Sequence, residues 1–234
     1  YIKRLIKIFI TRVQLRTSYS IRLVNEFQLN QISNRLLTSN VQIIPIPTRV
    51  PDFTFANVKK SIGFVGRFHY ERNLTEWLEI VARCCSNEFI NSVVIVGSGP
   101  LKTFVVNKLE QFKNIEIFDF GYVDNEKIDE ILPKIGVLLS AAKSESYGLA
   151  IREAAAAGIP VVARSNPTTL ALENSTCGIV QTYTNVDSAI NLIGLNLNES
   201  NRMTTKVEKY RKNLLEESEK NISLLNQSWM QLIQ

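Results

Sequence analysis

From residue 61 onward, short apolar runs alternate with amphipathic segments, and this alternation constrains the fold more than any other feature of the chain. The apolar runs predict six strands, at residues 61–66, 92–97, 115–121, 135–140, 159–163 and 178–181. The amphipathic segments predict helices near residues 73–86, 101–112, 124–133, 147–157, 168–174 and 186–195. Strands that are apolar throughout are typical of a parallel sheet buried on both faces. The sequence therefore predicts an α/β fold with a doubly wound parallel sheet, in which ligands bind beyond the carboxyl ends of the strands.

The two ends of the chain follow other patterns. A basic amphipathic helix is predicted over residues 1–16. Further elements are predicted before a proline-rich linker: a strand at 20–25, a helix at 27–37 and a strand at 41–47. We expect residues 1–48 to be the remnant of a preceding domain with its hinge, 49–198 to be the ligand-binding domain, and 199–234 to be a helical segment. Because the chain starts with Tyr1 rather than Met, we expect it to be part of a longer protein.

Charge and composition exclude several classes of function. The net charge of +5 is uneven, because residues 1–50 hold eight Lys and Arg against the single acid Glu26. A basic region confined to one end is not typical of nucleic-acid-binding proteins, so no nucleic-acid partner is expected. Three cysteines favour a reducing, cytoplasmic location, and the single histidine, His69, argues against a histidine-based metal site or a Ser-His-Asp triad. No apolar run reaches 18 residues, so no membrane-spanning segment is predicted.

Three predicted strands end in segments with candidate ligand contacts. "VGRFHYERN" places Gly66, Arg67 and Arg72 after the first strand, where two guanidinium groups could grip an oxyanion or simply face solvent. "VGSGPL" is a Gly-x-Gly turn in which Lys102 takes the place of a third glycine, so it indicates either a tight turn or a ligand contact. "FGYVDNEKI" predicts a helix capped by Asp124, with a backbone contact to a flat base as an additional role.

The stretch "ESYGLAIREAAAAGIPVVA" (145–163) carries the strongest chemical signal. Gly148 predicts a turn, and the helix that follows has unpaired N–H groups and a positive dipole end, which together bind phosphate well. Glu145 precedes this turn, and Glu153 lies about 6 Å along the helix. Carboxylates beside a phosphate site suit hydroxylated groups, as in a nucleotide-sugar. The simpler interpretations are a loop carboxylate for Glu145 and, for Glu153, a helix residue that pairs with Arg152 or faces solvent.

These residues resemble a known family. The Glu-x7-Glu spacing of Glu145 and Glu153, with "VGRF…ER", "VGSGP" and "FGYV" in order, is similar to family 4 retaining glycosyltransferases of the GT-B fold, over about residues 41–195. The resemblance implies that Glu145 is the catalytic residue facing the donor sugar and that Glu153 binds the ribose hydroxyls. It also implies that Arg67 and Arg72 hold the diphosphate, with no metal and no cofactor. Further donor contacts are implied for Gly66, Gly97, Gly99, Tyr122, Val123, Ser146, Tyr147, Gly148 and Leu149.

The sequence departs from the family pattern at several positions. Arg72 stands where the family usually has Lys, and Asn73 replaces the usual Gly. A Gly-Gly turn common after "IPVVA" is replaced by "RSNPTTLALE". Nearly all of the N-terminal acceptor domain is absent from these residues, so the isolated chain is expected to bind a donor but to transfer its sugar poorly.

The leading hypothesis is a retaining glycosyltransferase that moves a sugar from a nucleotide-diphosphate sugar to a glycan or lipid-linked acceptor, in polysaccharide or glycolipid synthesis. The alternative is a non-catalytic nucleotide-sugar-binding module or donor-binding subunit that needs a separate acceptor-binding chain. An NAD-dependent oxidoreductase is disfavoured by the incomplete Gly-x-Gly-x-x-Gly. The basic helix at residues 1–16 has two open interpretations: peripheral contact with the inner face of the membrane, or a core helix of the missing domain.

Overall fold

The computed structural model describes residues 13–14, 17, 20–30, 40–52, 59–124, 126–198 and 204–233. Its contacts divide the chain into two compact units. The smaller unit comprises the described residues up to Pro47 and from Glu217 onward, and the larger unit runs from Thr48 to Glu216. Most of the predicted helix at residues 1–16 lies outside the described residues, as does the greater part of the helix predicted at 27–37.

The smaller unit contains two short parallel strands, β1 (Ser20–Leu23) and β2 (Asn40–Ile43), with the helix α1 (Glu26–Asn30) after the first. Ile21 and Leu23 of β1 are buried, whereas Arg22 points the other way and donates to the carbonyls of Ile44 and Pro45. This alternation is the period-two pattern of a strand with one buried face.

The larger unit is built on a six-stranded sheet in which every neighbouring pair is parallel. Its strands are β3 (Ser61–Val65), β4 (Ser92–Val96), β5 (Glu116–Asp119), β6 (Val137–Ser140), β7 (Val161–Arg164) and β8 (Val180–Tyr183). The strand order is β5-β4-β3-β6-β7-β8. All six predicted strands are present, and the predicted doubly wound sheet is confirmed.

The helices alternate with these strands, as predicted. They are α2 (Leu74–Ser86), α3 (Lys102–Leu109), α4 (Ile128–Ile131), α5 (Leu149–Ala156), α6 (Pro167–Ser175), α7 (Val186–Asn198) and α8 (Thr204–Ile233). The predicted Asp124 cap is wrong. The helix α4 begins only at Ile128, after Lys127, and its first turn has no side-chain cap. None of the helices described is both long and apolar enough to cross a membrane.

Two apolar clusters cover the two faces of the sheet. Val93 and Ile95 of β4 pack with α2, α3 and α7, whereas Val94 and Val96 of the same strand pack with α4, α5 and α6. Because successive strand residues point to opposite faces, a strand between two helical layers must be apolar at every position. This is why the central strands lack the polar alternation of a half-exposed sheet, whereas the edge strands β5 and β8 include polar residues.

The strand order places a switch point between β3 and β6, the first and fourth strands of the sheet along the chain. The connection after β3 leads to one side of the sheet and the connection after β6 leads to the other. Loops that diverge in this way leave a crevice at the carboxyl ends of the strands. The segments after β3 and β6 are those that carry Arg72 and Glu145.

Candidate active site

A cleft of about 550 Å³ lies at this switch point. One wall is the turn that follows β3, and the other is the loop that follows β6. The lining residues are Tyr70, Glu71, Arg72, Asn73, Lys143, Ser144, Glu145 and Ser146. The cleft therefore has cations and carboxylates on facing walls, which suits a ligand with both anionic and hydroxyl groups.

Arg72 and Glu145 face each other across this cleft. Arg72 Nη1 donates to Glu145 Oε2 at 2.5 Å. The Arg72 side chain is 36% exposed, whereas the Glu145 side chain is only 10% exposed. The backbone N–H of Ser146 donates to Glu145 Oε1 at 3.1 Å, and Thr168 Oγ1 donates to the Glu145 carbonyl at 2.7 Å. Glu145 is thus held at both its side chain and its backbone.

The wall that carries Arg72 depends on an unusual backbone conformation. Tyr70–Arg72 form a single 3₁₀ turn, and Asn73 follows it with φ 50° and ψ 51°. This left-handed region is open to glycine and, among other residues, is best tolerated by Asn and Asp. This explains how Asn73 can occupy a position at which the family that the sequence resembles usually has Gly.

The second wall leads into α5 through Gly148. Gly148 has φ 77° and is the N-cap of the helix, so the chain turns sharply between Glu145 and the helix start. The Tyr147 ring is buried, and the Arg152 guanidinium lies 4.2 Å from its centre. The Arg152 Nε donates to the Tyr147 carbonyl at 3.3 Å, so the ring and the backbone of Tyr147 both pack against Arg152. The first-turn N–H groups of α5, including that of Leu149, have no intrahelical acceptor.

Glu153 lies on α5, half-buried and apart from the residues that line the cleft. Burial raises the pKa of its carboxyl, an effect that Arg49 opposes and Asp129 reinforces. Arg49 Nη1 donates to Asp129 Oδ2 at 2.5 Å. Two other side-chain nitrogens of Arg49, Nε and Nη2, are buried and have no hydrogen-bond partner among the described residues. The same is true of Asp129 Oδ1. Sequence reasoning missed this pair, because no motif joins residues 80 positions apart.

The glycines after β3 and β4 allow two loops to lie against each other. A Cβ on Gly97 would lie 1.9 Å from the Gly66 carbonyl oxygen, and one on Gly99 would lie 2.4 Å from the Phe68 carbonyl oxygen. The loops are also joined by hydrogen bonds from Gly66 N to the Val96 carbonyl and from Phe68 N to the Ser98 carbonyl. Close backbone approach thus accounts for the Gly-x-Gly turn without any ligand.

Three other predicted donor contacts lie outside the cleft wall. Arg67 is exposed beside the cleft, and its Nη2 lies 3.5 Å from Glu71 Oε2. Tyr122, after β5, is 76% exposed, while Val123 is partly buried against the apolar cluster of α4. Among the described residues, no group of three or more His, Cys, Asp or Glu side chains is arranged to hold a metal ion.

Comparison with known proteins places this site in context. A family model described as "Glycosyl transferases group 1" matches residues 48–220. Among curated proteins, alpha-monoglucosyldiacylglycerol synthase of Streptococcus pneumoniae is 29% identical over 113 residues, which are 47% of this chain and 25% of that protein. The chain thus spans about a quarter of the length of this relative.

Solved structures with the same fold include three with low sequence identity. Sucrose-phosphate synthase from Thermosynechococcus elongatus has a TM-score of 0.76 at 17% identity, covering 96% of this chain and 61% of its own. An S. aureus TarM mutant, in complex with fondaparinux, alpha-GlcNAc-glycerol and UDP, has a TM-score of 0.72 at 19% identity. The match covers 91% of this chain and 44% of the TarM chain. Anabaena HepE in complex with UDP and glucose has a TM-score of 0.72 at 13% identity. The match covers 93% of this chain and 65% of the HepE chain. These likenesses show that the larger unit has a Rossmann-like fold of the GT-B type.

Proposed function

The chain belongs to the group 1 glycosyl transferases, and on this premise we propose that its larger unit binds a nucleotide-diphosphate sugar in the switch-point cleft. It then serves as the donor half of a retaining glycosyltransferase. The observation that carries this proposal is the pairing of Arg72 with Glu145 at the crevice between β3 and β6. A cation for phosphate and a carboxylate for sugar hydroxyls lie within one hydrogen bond of each other.

The diphosphate is assigned to Arg72 and to the amino end of α5. A guanidinium has five N–H donors, so Arg72 can keep one bond to Glu145 while others bind phosphate oxygens. The N–H groups of Gly148 and Leu149, with the positive end of the helix dipole, add further stabilisation. Arg67, exposed at the rim, extends this positive surface once it leaves Glu71. As the sugar departs, these groups stabilise the charge that develops on the diphosphate.

The sugar and the ribose are assigned to the two glutamates. Glu145 accepts hydrogen bonds from hydroxyls of the donor sugar and faces the carbon at which transfer occurs. Glu153, next to Arg49 and Asp129, accepts hydrogen bonds from the ribose hydroxyls, and the backbone near Tyr122 and Val123 receives the base. Retention then requires the acceptor hydroxyl to enter on the face from which the diphosphate leaves, through an oxocarbenium-like state.

The acceptor is proposed to be a hydroxyl of a glycan or of a lipid-linked sugar. Support comes from the names of similar proteins, which include a diacylglycerol glycolipid synthase and a complex with a glycerol-linked sugar. We place the reaction in the cytoplasm, with access to an acceptor at the inner face of the membrane.

Titration calorimetry with a panel of nucleotide-diphosphate sugars tests this proposal. We expect at least one such sugar and its free nucleoside diphosphate to bind, the matching nucleoside to bind much more weakly, and EDTA to leave binding unchanged. Saturable binding of NADH with no binding of any nucleotide-diphosphate sugar would overturn the proposal. Loss of binding in EDTA would overturn the part of the proposal in which no metal ion is needed.

A further inference from the structure

Asn73 connects the cleft wall to the core of the larger unit. Its N–H donates to the Tyr70 carbonyl at 3.1 Å, which closes the 3₁₀ turn, and its carbonyl accepts from Trp77 N at 3.1 Å, which starts α2. A single residue therefore ends one element and begins the next. The angle at which the turn with Arg72 leaves the helix depends on the left-handed torsions of Asn73.

The Asn73 side chain is held by Glu76, one turn into α2. Asn73 Nδ2 donates to Glu76 Oε2 at 3.0 Å. The Glu76 side chain is only 16% exposed, so this bond is largely shielded from water. Left-handed torsions are unfavourable for a residue with a Cβ, and the hydrogen bond that Asn73 makes to Glu76 in this conformation offsets part of that cost.

Glu76 is itself anchored to the far half of the sheet. Its Oε1 accepts from Arg164 Nη1 at 2.6 Å and from the Tyr183 hydroxyl at 2.9 Å. Arg164 and Tyr183 are the last residues of β7 and β8. Burial, and next the hydrogen bond to Glu76, raise the pKa of the Tyr183 phenol, so it remains a neutral donor. With three donors on two oxygens, the Glu76 carboxylate has little freedom to move.

We propose that Glu76 is a positioning residue for donor binding. It fixes Asn73 in the left-handed conformation and thereby holds Arg72 in the cleft, beside Glu145, without touching the donor. The carboxyl ends of β7 and β8 thus determine the shape of the wall that follows β3. This inference rests on the proposed function, since it assigns Arg72 to the diphosphate.

Glycine at position 73 provides the test, because glycine adopts left-handed torsions without side-chain help. We would measure the affinity for the best-binding nucleoside diphosphate, and the thermal unfolding midpoint, for wild type, Glu76→Ala, Asn73→Gly and the double variant. Glu76→Ala should weaken binding at least about fivefold in the wild-type background. In the Asn73→Gly background the same change should weaken it less than about twofold. Glu76→Ala should lower the unfolding midpoint in both backgrounds, because Arg164 and Tyr183 lose their acceptor in each.

Two further variants protect the test against misfolding. Asn73→Ala leaves Glu76, Arg164 and Tyr183 in place, and it should weaken binding more than Asn73→Gly does. Glu79→Ala removes a carboxylate from the exposed face of the same helix and should leave affinity unchanged. Equal losses of affinity from Glu76→Ala in both backgrounds would overturn the inference, as would equal affinities of Asn73→Ala and Asn73→Gly. Neither result would contradict the proposed function, because the wild-type chain would still bind the nucleotide. A wild-type chain that binds no nucleotide at all would instead remove the proposed function, and this inference with it.

Discussion

Replacement of Arg72 by methionine is the most direct perturbation of the candidate site. Methionine keeps much of the length of the side chain and removes only the guanidinium. In the free protein, this deletes the 2.5 Å hydrogen bond to Glu145. In the complex, it deletes the proposed contacts to the diphosphate. The change in affinity is the difference between these two losses.

The magnitude can be bounded from the geometry. A hydrogen bond between a guanidinium and a charged acceptor contributes about 1.5–3 kcal/mol. The Arg72–Glu145 pair in the free protein is worth about 1 kcal/mol or less, because the Arg72 side chain is 36% exposed. When the diphosphate binds, it replaces or weakens the Arg72–Glu145 ion pair of the free protein. The free energy of that ion pair is therefore subtracted from the free energy of the new contact. The net loss is about 0.5–3 kcal/mol, which corresponds to an affinity lower by about 2- to 150-fold.

Calorimetric titration of a nucleoside diphosphate and of the matching nucleoside separates the phosphate contact from general damage. Arg72→Met should weaken binding of the diphosphate by the factor above and change nucleoside binding little. Arg83→Met is the matched control, since Arg83 lies on α2, is 47% exposed and pairs with Asp187 at 2.7 Å. It should leave both affinities unchanged. An equal loss for diphosphate and nucleoside in Arg72→Met would refute the assignment of Arg72 to the diphosphate.

Further predictions concern the two glutamates and the packed glycines. Glu153→Ala should weaken nucleotide binding, whereas Glu145→Ala should spare the free nucleotide and reduce the preference for its sugar conjugate. Calorimetry with the nucleotide and with its sugar conjugate checks this. Identical effects of the two changes would contradict the assignments. Gly97→Ala should lower the free energy of unfolding by about 2–4 kcal/mol, because its Cβ would lie 1.9 Å from the Gly66 carbonyl oxygen. Gly178→Ala, at a position with open space around the added Cβ, should lower it by only about 1–2 kcal/mol. Urea unfolding of both variants measures the difference. Glu153→Gln should change the pH dependence of stability. Since burial raises the pKa of Glu153 above its ordinary 4.5, the folded state prefers the protonated form, and the stability this provides is lost as pH rises through the folded pKa. The variant should therefore gain stability relative to wild type as pH rises from 4.5 toward 7, and the opposite trend would contradict the burial effect.

Local pattern was sufficient to predict the layered fold. All six runs became strands, and the mostly apolar central ones, such as β4 and β6, are buried between two helical layers. The segment around Glu145 and Gly148 was predicted as a turn and a helix start, and the positive φ of Gly148 shows the physical reason. Asp124 shows where this reasoning fails, since a capping residue type does not ensure that a helix begins there.

What the sequence by itself determined is therefore the order of strands and helices, the parallel sheet, and the turn at Gly148 with a glutamate on either side of it. Only the tertiary structure decided that Glu76 contacts Arg164 and Tyr183, 88 and 107 residues away, and that Arg49 lies beside Asp129. Periodicity and turn preference act over a few residues, so they can be read along the chain. Contacts between the ends of strands depend on strand order and register, which are set when the whole sheet assembles and which no local pattern records.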